Sequence, residues 1–127
     1  MIKKLFLLAV LAAFAFGAEA KVSLQELLAT PNNKSLLKQL GRENILSSKS
    51  EPDTQAIFFA SAKSKPELFY LLEFYKDEAA YKKHISSAHY KKFASASAEI
   101  LASKKAISVK KRAAFSKNLT PERLKDA

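Results

Sequence analysis

The stretch that most constrains the fold is LFYLLEFY, residues 68–75, in which Glu73 is the only charged side chain. An aromatic-rich run that is apolar at consecutive positions predicts a strand covered on both faces. Lys76 and Asp77 end the run, and Asp77 is suited to cap the N-terminus of a following helix. Helical spacing in the next residues places His84 on the buried side of that helix. We therefore predict that Glu73 and His84 face the same interior.

The chain from residue 21 onward supplies the other elements of a single domain. In chain order the pattern predicts a strand over 22–29, a helix over 34–50, strands over 55–62 and 68–75, a helix in two pieces over 78–101 and a strand over 106–113. The short charged turn at 63–66 makes its two flanking strands an antiparallel pair. The order of elements is that of the ferredoxin-like α+β fold, a four-stranded antiparallel sheet with helices on one face.

The apolar strand over 68–75 also predicts how the second face of the sheet is covered. Two helices cover one face only, whereas this strand is apolar on both. A second copy of the chain is the simplest cover, which predicts a homodimer with its sheets packed face to face.

The first 20 residues have the pattern of a cleavable export signal. Lys3 and Lys4 precede twelve apolar residues, and Ala18-Glu19-Ala20 has the small-x-small pattern of a cleavage site. Twelve residues are too few to cross a bilayer, which requires about 20 in a helix. We predict cleavage after Ala20, a periplasmic or secreted domain over 21–113 with no transmembrane segment, and a polar, basic tail over 114–127.

Composition excludes several classes of site. The absence of cysteine excludes disulfides, thiolate metal sites and cysteine nucleophiles. The net charge of +10 comes largely from scattered lysines, a pattern typical of a solvated surface that allows weak contact with an anionic membrane. No groove-reading motif points to nucleic acid. One glycine follows the signal, so a phosphate-binding glycine loop is also excluded.

Three polar residues on apolar stripes are candidates for chemistry, each with a structural alternative. Asn44 interrupts the stripe of the first helix, where a buried amide either bonds core backbone or lines a ligand cavity. His84 is either a hydrogen-bonded core residue or a base with a pKa suited to neutral pH. His89 follows the break at Ser86-Ser87, and a cap or interface hydrogen bond is its simplest role. On a continuous helix a five-residue step separates side chains by about 140°, so a metal-binding histidine pair is not predicted.

The segment LFYLLEFYKDEAAYKKHISSAHYKKF resembles the hallmark segment of the antibiotic-biosynthesis monooxygenase domain family. These are small dimeric α+β barrels that include quinol monooxygenases and a phosphorylated-autoinducer isomerase. The matching features are Glu73-x-Tyr75, Lys76-Asp77-Glu78, Ala80, His84 and His89-Tyr90-Lys91. Arg42-Glu43-Asn44 and Glu51-Pro52 extend the resemblance over 22–112. Ala94 stands where haem-degrading relatives have an axial histidine, so haem chemistry is not implied.

The resemblance implies an oxidation that needs neither metal nor flavin. A deprotonated quinol or polyphenol would react with oxygen in a dry pocket, with His84 as the base, Asn44 holding the oxyanion or oxygen, and Glu73 or Tyr75 fixing the imidazole or the substrate. Residues assigned to substrate binding are Tyr75, Phe58, Phe59, Phe69, Tyr70 and His89. The alternatives are a non-catalytic periplasmic dimer that binds a small hydrophobic or anionic ligand, and a small-molecule isomerase.

Overall fold

The computed structural model describes residues 19–113. Most of the predicted export signal and the whole of the predicted tail lie outside these residues. The described chain forms four strands and three helices. They are β1 (Lys21–Ala29), α1 (Lys34–Ser48), β2 (Thr54–Ala62), β3 (Lys65–Tyr75), α2 (Glu78–Ile85), α3 (Ala88–Ala98) and β4 (Leu101–Ile107).

The four strands form one antiparallel sheet in the order β2-β3-β1-β4. β3 and β1 are the central strands, and β2 and β4 are the edges. The order confirms the predicted ferredoxin-like α+β fold, with the predicted two-piece helix present as α2 and α3. None of the helices within 19–113 combines the length and apolarity needed to span a bilayer.

Side-chain caps fix where the second and third helices begin. Asp77 accepts a hydrogen bond from the backbone N–H of Ala80 at 2.8 Å, as the sequence predicted. Ser87 caps α3 by accepting from the N–H of Tyr90 at 3.2 Å. The Oγ of Ser87 also donates to the carbonyl of His84 at 2.6 Å, so the turn between α2 and α3 is held from both sides.

The last strand begins five residues earlier than predicted. The sequence pattern predicts a helix through Leu101 and a strand over 106–113, whereas β4 spans Leu101–Ile107. Pairing with β1 sets these limits, since Leu101 lies opposite Ala29 and Ile107 opposite Leu24. Sequence periodicity was misleading because a sheet-edge strand with mostly exposed residues carries little apolar alternation.

The helices pack on one face of the sheet and enclose the core. Buried apolar side chains from the strands and from α1 and α3 form one cluster, which includes Leu27, Leu37, Leu40, Ile57, Phe69, Leu71 and Phe93. Phe59 stacks on Phe69 with 4.9 Å between ring centres. Gly41 lets α1 approach this stack, because a Cβ at that position would collide with the Phe59 ring. The packing of α1 against Phe59 therefore requires glycine at position 41.

The opposite face of the sheet is largely apolar, and no element within 19–113 covers it. Glu26 of β1 and Lys105 of β4, which lie opposite each other, also fall on this face. Strand register places alternate residues of β1, β2, β3 and β4 there. We call this surface the bare face and define it by Val22, Leu24, Leu28, Phe58, Leu68, Tyr70, Leu72, Phe74 and Ile107, all of which are half-buried. A contiguous apolar surface of this kind marks an interaction site.

Candidate functional site

The site begins with two polar residues at the C-terminal end of β3, on the side that the helices cover. Glu73 is 1% exposed and Tyr75 is fully buried. The Tyr75 hydroxyl donates to Glu73 Oε2 at 2.5 Å. Ser23 lies opposite Glu73 on β1. At this end of the core, β3 therefore presents a hydrogen-bonded pair, the carboxyl group of Glu73 and the phenol of Tyr75, in place of apolar side chains.

Helix α2 places His84 between the carboxyl groups of Glu51 and Glu73. The sequence predicted that His84 and Glu73 face the same interior. The imidazole is 1% exposed. Its Nδ1 lies 2.7 Å and 3.0 Å from the two oxygens of Glu51. Its Nε2 lies 3.4 Å from Glu73 Oε2, which is within ion-pair distance, but makes no hydrogen bond to any residue within 19–113. Since a carboxylate can only accept, Nδ1 carries a proton, and the ring in its neutral form presents its lone pair at Nε2.

Glu51 is the member of the site that the sequence pattern did not reveal. It lies in the loop between α1 and β2, where Thr54 donates to its Oε1 at 3.0 Å. Its Oε2 is 3.2 Å from Nε2 of His89, so one carboxylate contacts both histidines. The available signal is the Glu51-Pro52 pair itself, which directly follows the predicted first helix and is part of the resemblance to the family.

The break between α2 and α3 brings the two histidines together. The ring centres of His84 and His89 are 5.7 Å apart, and Tyr90 packs 5.2 Å from His84. The sequence analysis placed these two side chains about 140° apart because it considered a continuous helix. The turn at Ser87 changes the direction of α3, and the two rings therefore meet. We refer to Glu51, Glu73, Tyr75, His84 and His89 together as the carboxylate–imidazole cluster.

Burial sets the protonation of two members of this cluster. Burial raises the pKa of Glu73 above its ordinary value of 4.5, although the Tyr75 hydrogen bond and the nearby His84 partly oppose the rise. Burial, followed by the negative charge of Glu73, raises the pKa of the Tyr75 phenol. Tyr75 therefore remains a hydrogen-bond donor at neutral pH, and Glu73 is charged less readily than a surface carboxylate.

Asn44 lies in a small cavity between α1 and α3, beside the cluster. Its side chain is 2% exposed, and neither its amide nitrogen nor its oxygen has a hydrogen-bond partner among residues 19–113. The cavity has a volume of about 50 Å³, and its lining residues are Leu40, Glu43, Asn44, Ser47, His89, Lys92 and Phe93. His89 thus contacts both the cavity and Glu51, whereas His84 and Glu73 do not line it. The sequence left two roles open for Asn44, a hydrogen bond to core backbone or the lining of a ligand cavity. In the structure its side chain lines a cavity.

Strand register divides the four predicted aromatic wall residues between two environments. Phe59 and Phe69 lie on the helix side but are stacked on each other as part of the core. Phe58 and Tyr70 lie on the bare face, on the other side of the sheet from His84. These two therefore cannot line a pocket shared with His84 in one protomer. Successive side chains of a strand point to opposite faces of the sheet, so neighbours such as Phe58 and Phe59 lie on different faces.

The fold and the cluster together define a small ferredoxin-like α+β domain with a buried histidine between carboxyl groups. The family model for antibiotic biosynthesis monooxygenases matches residues 24–96. The chain belongs to this family, as the resemblance of its central segment predicted. The matched span includes the whole carboxylate–imidazole cluster and Asn44. No curated protein matches the chain.

Solved structures of similar proteins agree with this fold. A candidate antibiotic biosynthesis monooxygenase from Bacteroides thetaiotaomicron is 26% identical, with a TM-score of 0.73 over 78% of this chain and 95% of its own. A second such candidate, from Nitrosomonas europaea, is 21% identical, with a TM-score of 0.70 over 75% of this chain and 92% of its own. A conserved protein from Methanosarcina mazei is 21% identical, with a TM-score of 0.68 over 74% of this chain and 94% of its own.

Proposed function

We propose that this protein is an exported, cofactor-independent monooxygenase that oxidises a small quinol-type or polyphenol substrate with molecular oxygen. The observation that carries the proposal is the arrangement of His84, whose Nδ1 is held by Glu51 while Nε2 has no hydrogen bond. An imidazole oriented by a carboxylate, with a free lone pair, is the arrangement of a general base. Membership of the monooxygenase family supports the reaction class.

His84 would begin the reaction by removing a proton from a substrate hydroxyl. The Glu51 carboxylate stabilises the imidazolium that forms, and Tyr75 holds Glu73 in place beside Nε2. Because His84 is 1% exposed, the substrate reaches Nε2 only when neighbouring side chains move. The half-buried ring of Tyr90, 5.2 Å from the imidazole, is the side chain that we expect to move.

The substrate anion supplies every electron that the reaction needs. Hydroquinone and O₂ would give hydroxyquinone and water, with one oxygen atom entering the ring and the other leaving as water. Two electrons come from ring hydroxylation and two from oxidation of the quinol, so no external reductant takes part. Asn44 would hold the reduced oxygen species, because its buried N–H groups have no acceptor within residues 19–113. This requires His89, which lines the Asn44 cavity and contacts Glu51, to move so that the cavity joins the space beside His84.

We further propose that the protein acts as a homodimer outside the cytoplasm. The bare face supports the dimer, since an exposed surface of this size and composition requires a cover that the described residues do not supply. The charged, apolar and small-residue pattern of residues 1–20 supports export. A weak contact of the lysine-rich surface with anionic lipid headgroups remains part of the proposal.

Oxygen uptake with a panel of hydroquinones, measured in EDTA-treated protein, tests this function. Wild type should consume oxygen, and His84→Gln should lower kcat by about 10²–10⁴ because the base is lost. Lys83→Ala, at the exposed neighbouring position on α2, is the matched control and should leave the rate unchanged. Size-exclusion chromatography establishes that both variants fold and associate as wild type does. An unaltered rate in His84→Gln would remove this residue from the mechanism.

A second candidate is a non-catalytic dimer that binds a small ligand, and it is favoured because the Asn44 cavity is too small for a quinol substrate. About 50 Å³ accommodates water or a diatomic molecule but is well below the volume of roughly 300 Å³ or more that is usual for ligand pockets. If wild type shows no oxygen uptake while a hydroquinone or a small anion raises its melting temperature, this second function is supported and the enzyme proposal is wrong.

A further inference from the structure

The part of the carboxylate–imidazole cluster nearest to solvent has the composition of a metal site. Glu51, His84 and His89 each offer one ligand atom, and these atoms all lie within 4.8 Å of one another. We propose that these three residues bind a divalent first-row transition metal ion, for which Zn²⁺ is the representative probe. This inference is independent of the proposed monooxygenase function.

The three ligands come from separate elements that the fold holds in place. Glu51 lies in the loop after α1 and accepts a hydrogen bond from Thr54 at 3.0 Å. His84 ends α2 and His89 lies in the first turn of α3. The Ser87 hydroxyl, which bonds the carbonyl of His84 and the N–H of Tyr90, fixes the turn between these two helices. The set is therefore organised before any ion binds.

The separations between ligand atoms suit a single small cation. Zinc bonds of about 2.0–2.2 Å in a tetrahedral site place ligand atoms about 3.3 Å apart. Nδ1 of His84 lies 2.7 Å from Glu51 Oε1, and Nε2 of His89 lies 3.2 Å from Glu51 Oε2. Exchange of the hydrogen-bonded proton for an ion requires a small expansion of the first distance. The three ligand atoms span up to 4.8 Å, so the most widely separated pair must also close by about 1.5 Å, which a rotation of the partly exposed His89 side chain can supply. Two imidazoles and one carboxylate favour zinc and its transition-metal neighbours over Mg²⁺ or Ca²⁺.

A second carboxyl group lies behind the buried ligand. Once Nδ1 of His84 binds a metal, Nε2 must carry the ring proton, and Glu73 Oε2 lies 3.4 Å from it. Ligating histidines commonly donate their other N–H to a carboxylate, which fixes the tautomer and strengthens the ligand. Metal binding would thus give a partner to the buried Nε2 atom, which has none in the metal-free arrangement.

The site is open on one side. The side chain of His84 is 1% exposed, whereas those of Glu51 and His89 are 18% and 23% exposed. Three protein ligands with solvent access leave at least one coordination position for water, as in zinc sites that are not purely structural. The metal-bound tautomer has a proton on Nε2, so occupancy by Zn²⁺ removes the lone pair that the proposed base reaction uses. Zinc is therefore expected to inhibit that reaction.

Calorimetric titration of the EDTA-treated protein with ZnCl₂ tests the site directly, and CoCl₂ supplies a visible absorption band that reports coordination. Wild type should bind one Zn²⁺ per chain and show no binding of MgCl₂. Glu51→Gln and His89→Gln should each weaken the affinity by about 100-fold or more, because one of three ligands is lost. Asp53→Asn, at an exposed carboxylate in the same loop as Glu51, is the matched control and should bind as wild type does.

Glu73→Gln separates a supporting residue from a ligand. The stoichiometry should remain one ion per chain while affinity falls by about 10–100-fold, because only the partner of Nε2 changes. Circular dichroism of each variant checks the fold, and His89→Gln is the safer variant because His89 is partly exposed. Absence of stoichiometric Zn²⁺ binding by wild type, or binding that Glu51→Gln and His89→Gln leave unchanged, overturns the proposal. Neither result bears on oxygen uptake in the presence of EDTA.

Discussion

The two faces of the sheet differ although the same strands build both. On the helix side β3 presents Phe69, Leu71, Glu73 and Tyr75, which are all buried. On the bare face it presents Leu68, Tyr70, Leu72 and Phe74, which are all half-buried. The helix side combines an apolar core with polar chemistry at one end, whereas the bare face is apolar along β3 and carries Glu26 and Lys105 on β1 and β4. The difference supports the proposal that catalysis or ligand binding belongs to the first face and association to the second.

The largest expected effect comes from a charge placed on the bare face. Leu72 lies opposite both Leu24 and Phe58, so it occupies the centre of that surface. Leu72→Arg should weaken the proposed dimer by about 100-fold or more, because an unpaired buried charge costs about 3–5 kcal/mol. Light scattering over a concentration series measures the shift. Leu36→Arg, on the exposed side of α1, should leave association unchanged. A monomeric wild type contradicts the assignment of this face.

A smaller effect is expected on the helix side, where polar residues form the proposed site. Asn44→Leu should raise the free energy of unfolding by about 1–3 kcal/mol, because it removes a buried amide without partners. The same variant should lose oxygen uptake if the amide holds the reduced oxygen. Asn33→Leu is the control, because Asn33 donates to Thr30 at 2.8 Å and its loss should destabilise. Destabilisation by Asn44→Leu, measured in urea, would mean that the amide is satisfied.

The smallest expected effect is the pH dependence that Glu73 contributes. Its pKa is raised on folding by burial, so the folded state holds this proton more tightly than the unfolded chain. The resulting stabilisation is complete below pH 4.5 and is lost as pH rises through the raised pKa of Glu73. Glu73→Gln should lack this decline, which amounts to roughly 1 kcal/mol when the pKa values of the folded and unfolded states differ by one.

Urea unfolding of the metal-free protein at increasing pH measures this difference. The unfolding free energy of Glu73→Gln should exceed that of wild type by an amount that grows as pH rises above 4.5. Glu67→Gln, near the other end of β3, serves as control and should retain the wild-type decline. Parallel profiles for wild type and Glu73→Gln would show that Glu73 is not buried as a charge in the folded protein.

The sequence predicted the parts of the site that lie on regular elements. The apolar pattern of β3 and the helical period after Asp77 predicted that Glu73 and His84 face one interior. In the structure, Nε2 of His84 lies 3.4 Å from Oε2 of Glu73. Glu51 escaped prediction because it lies in a loop, where side-chain direction depends on contacts across the fold and not on period. The approach of His89 was missed for a related reason, since the angle between α2 and α3 depends on how Ser87 bonds.

The sequence by itself determined the fold class, the family and the burial of a histidine and a carboxylate, because periodicity and local motifs encode these features. Only the tertiary structure decided which strand face receives Phe58 and Tyr70, where β4 begins and which carboxylate meets His84. Register, sheet pairing and loop position are set by contacts between residues far apart in the chain, and Glu51 and His84, 33 positions apart, are such a pair.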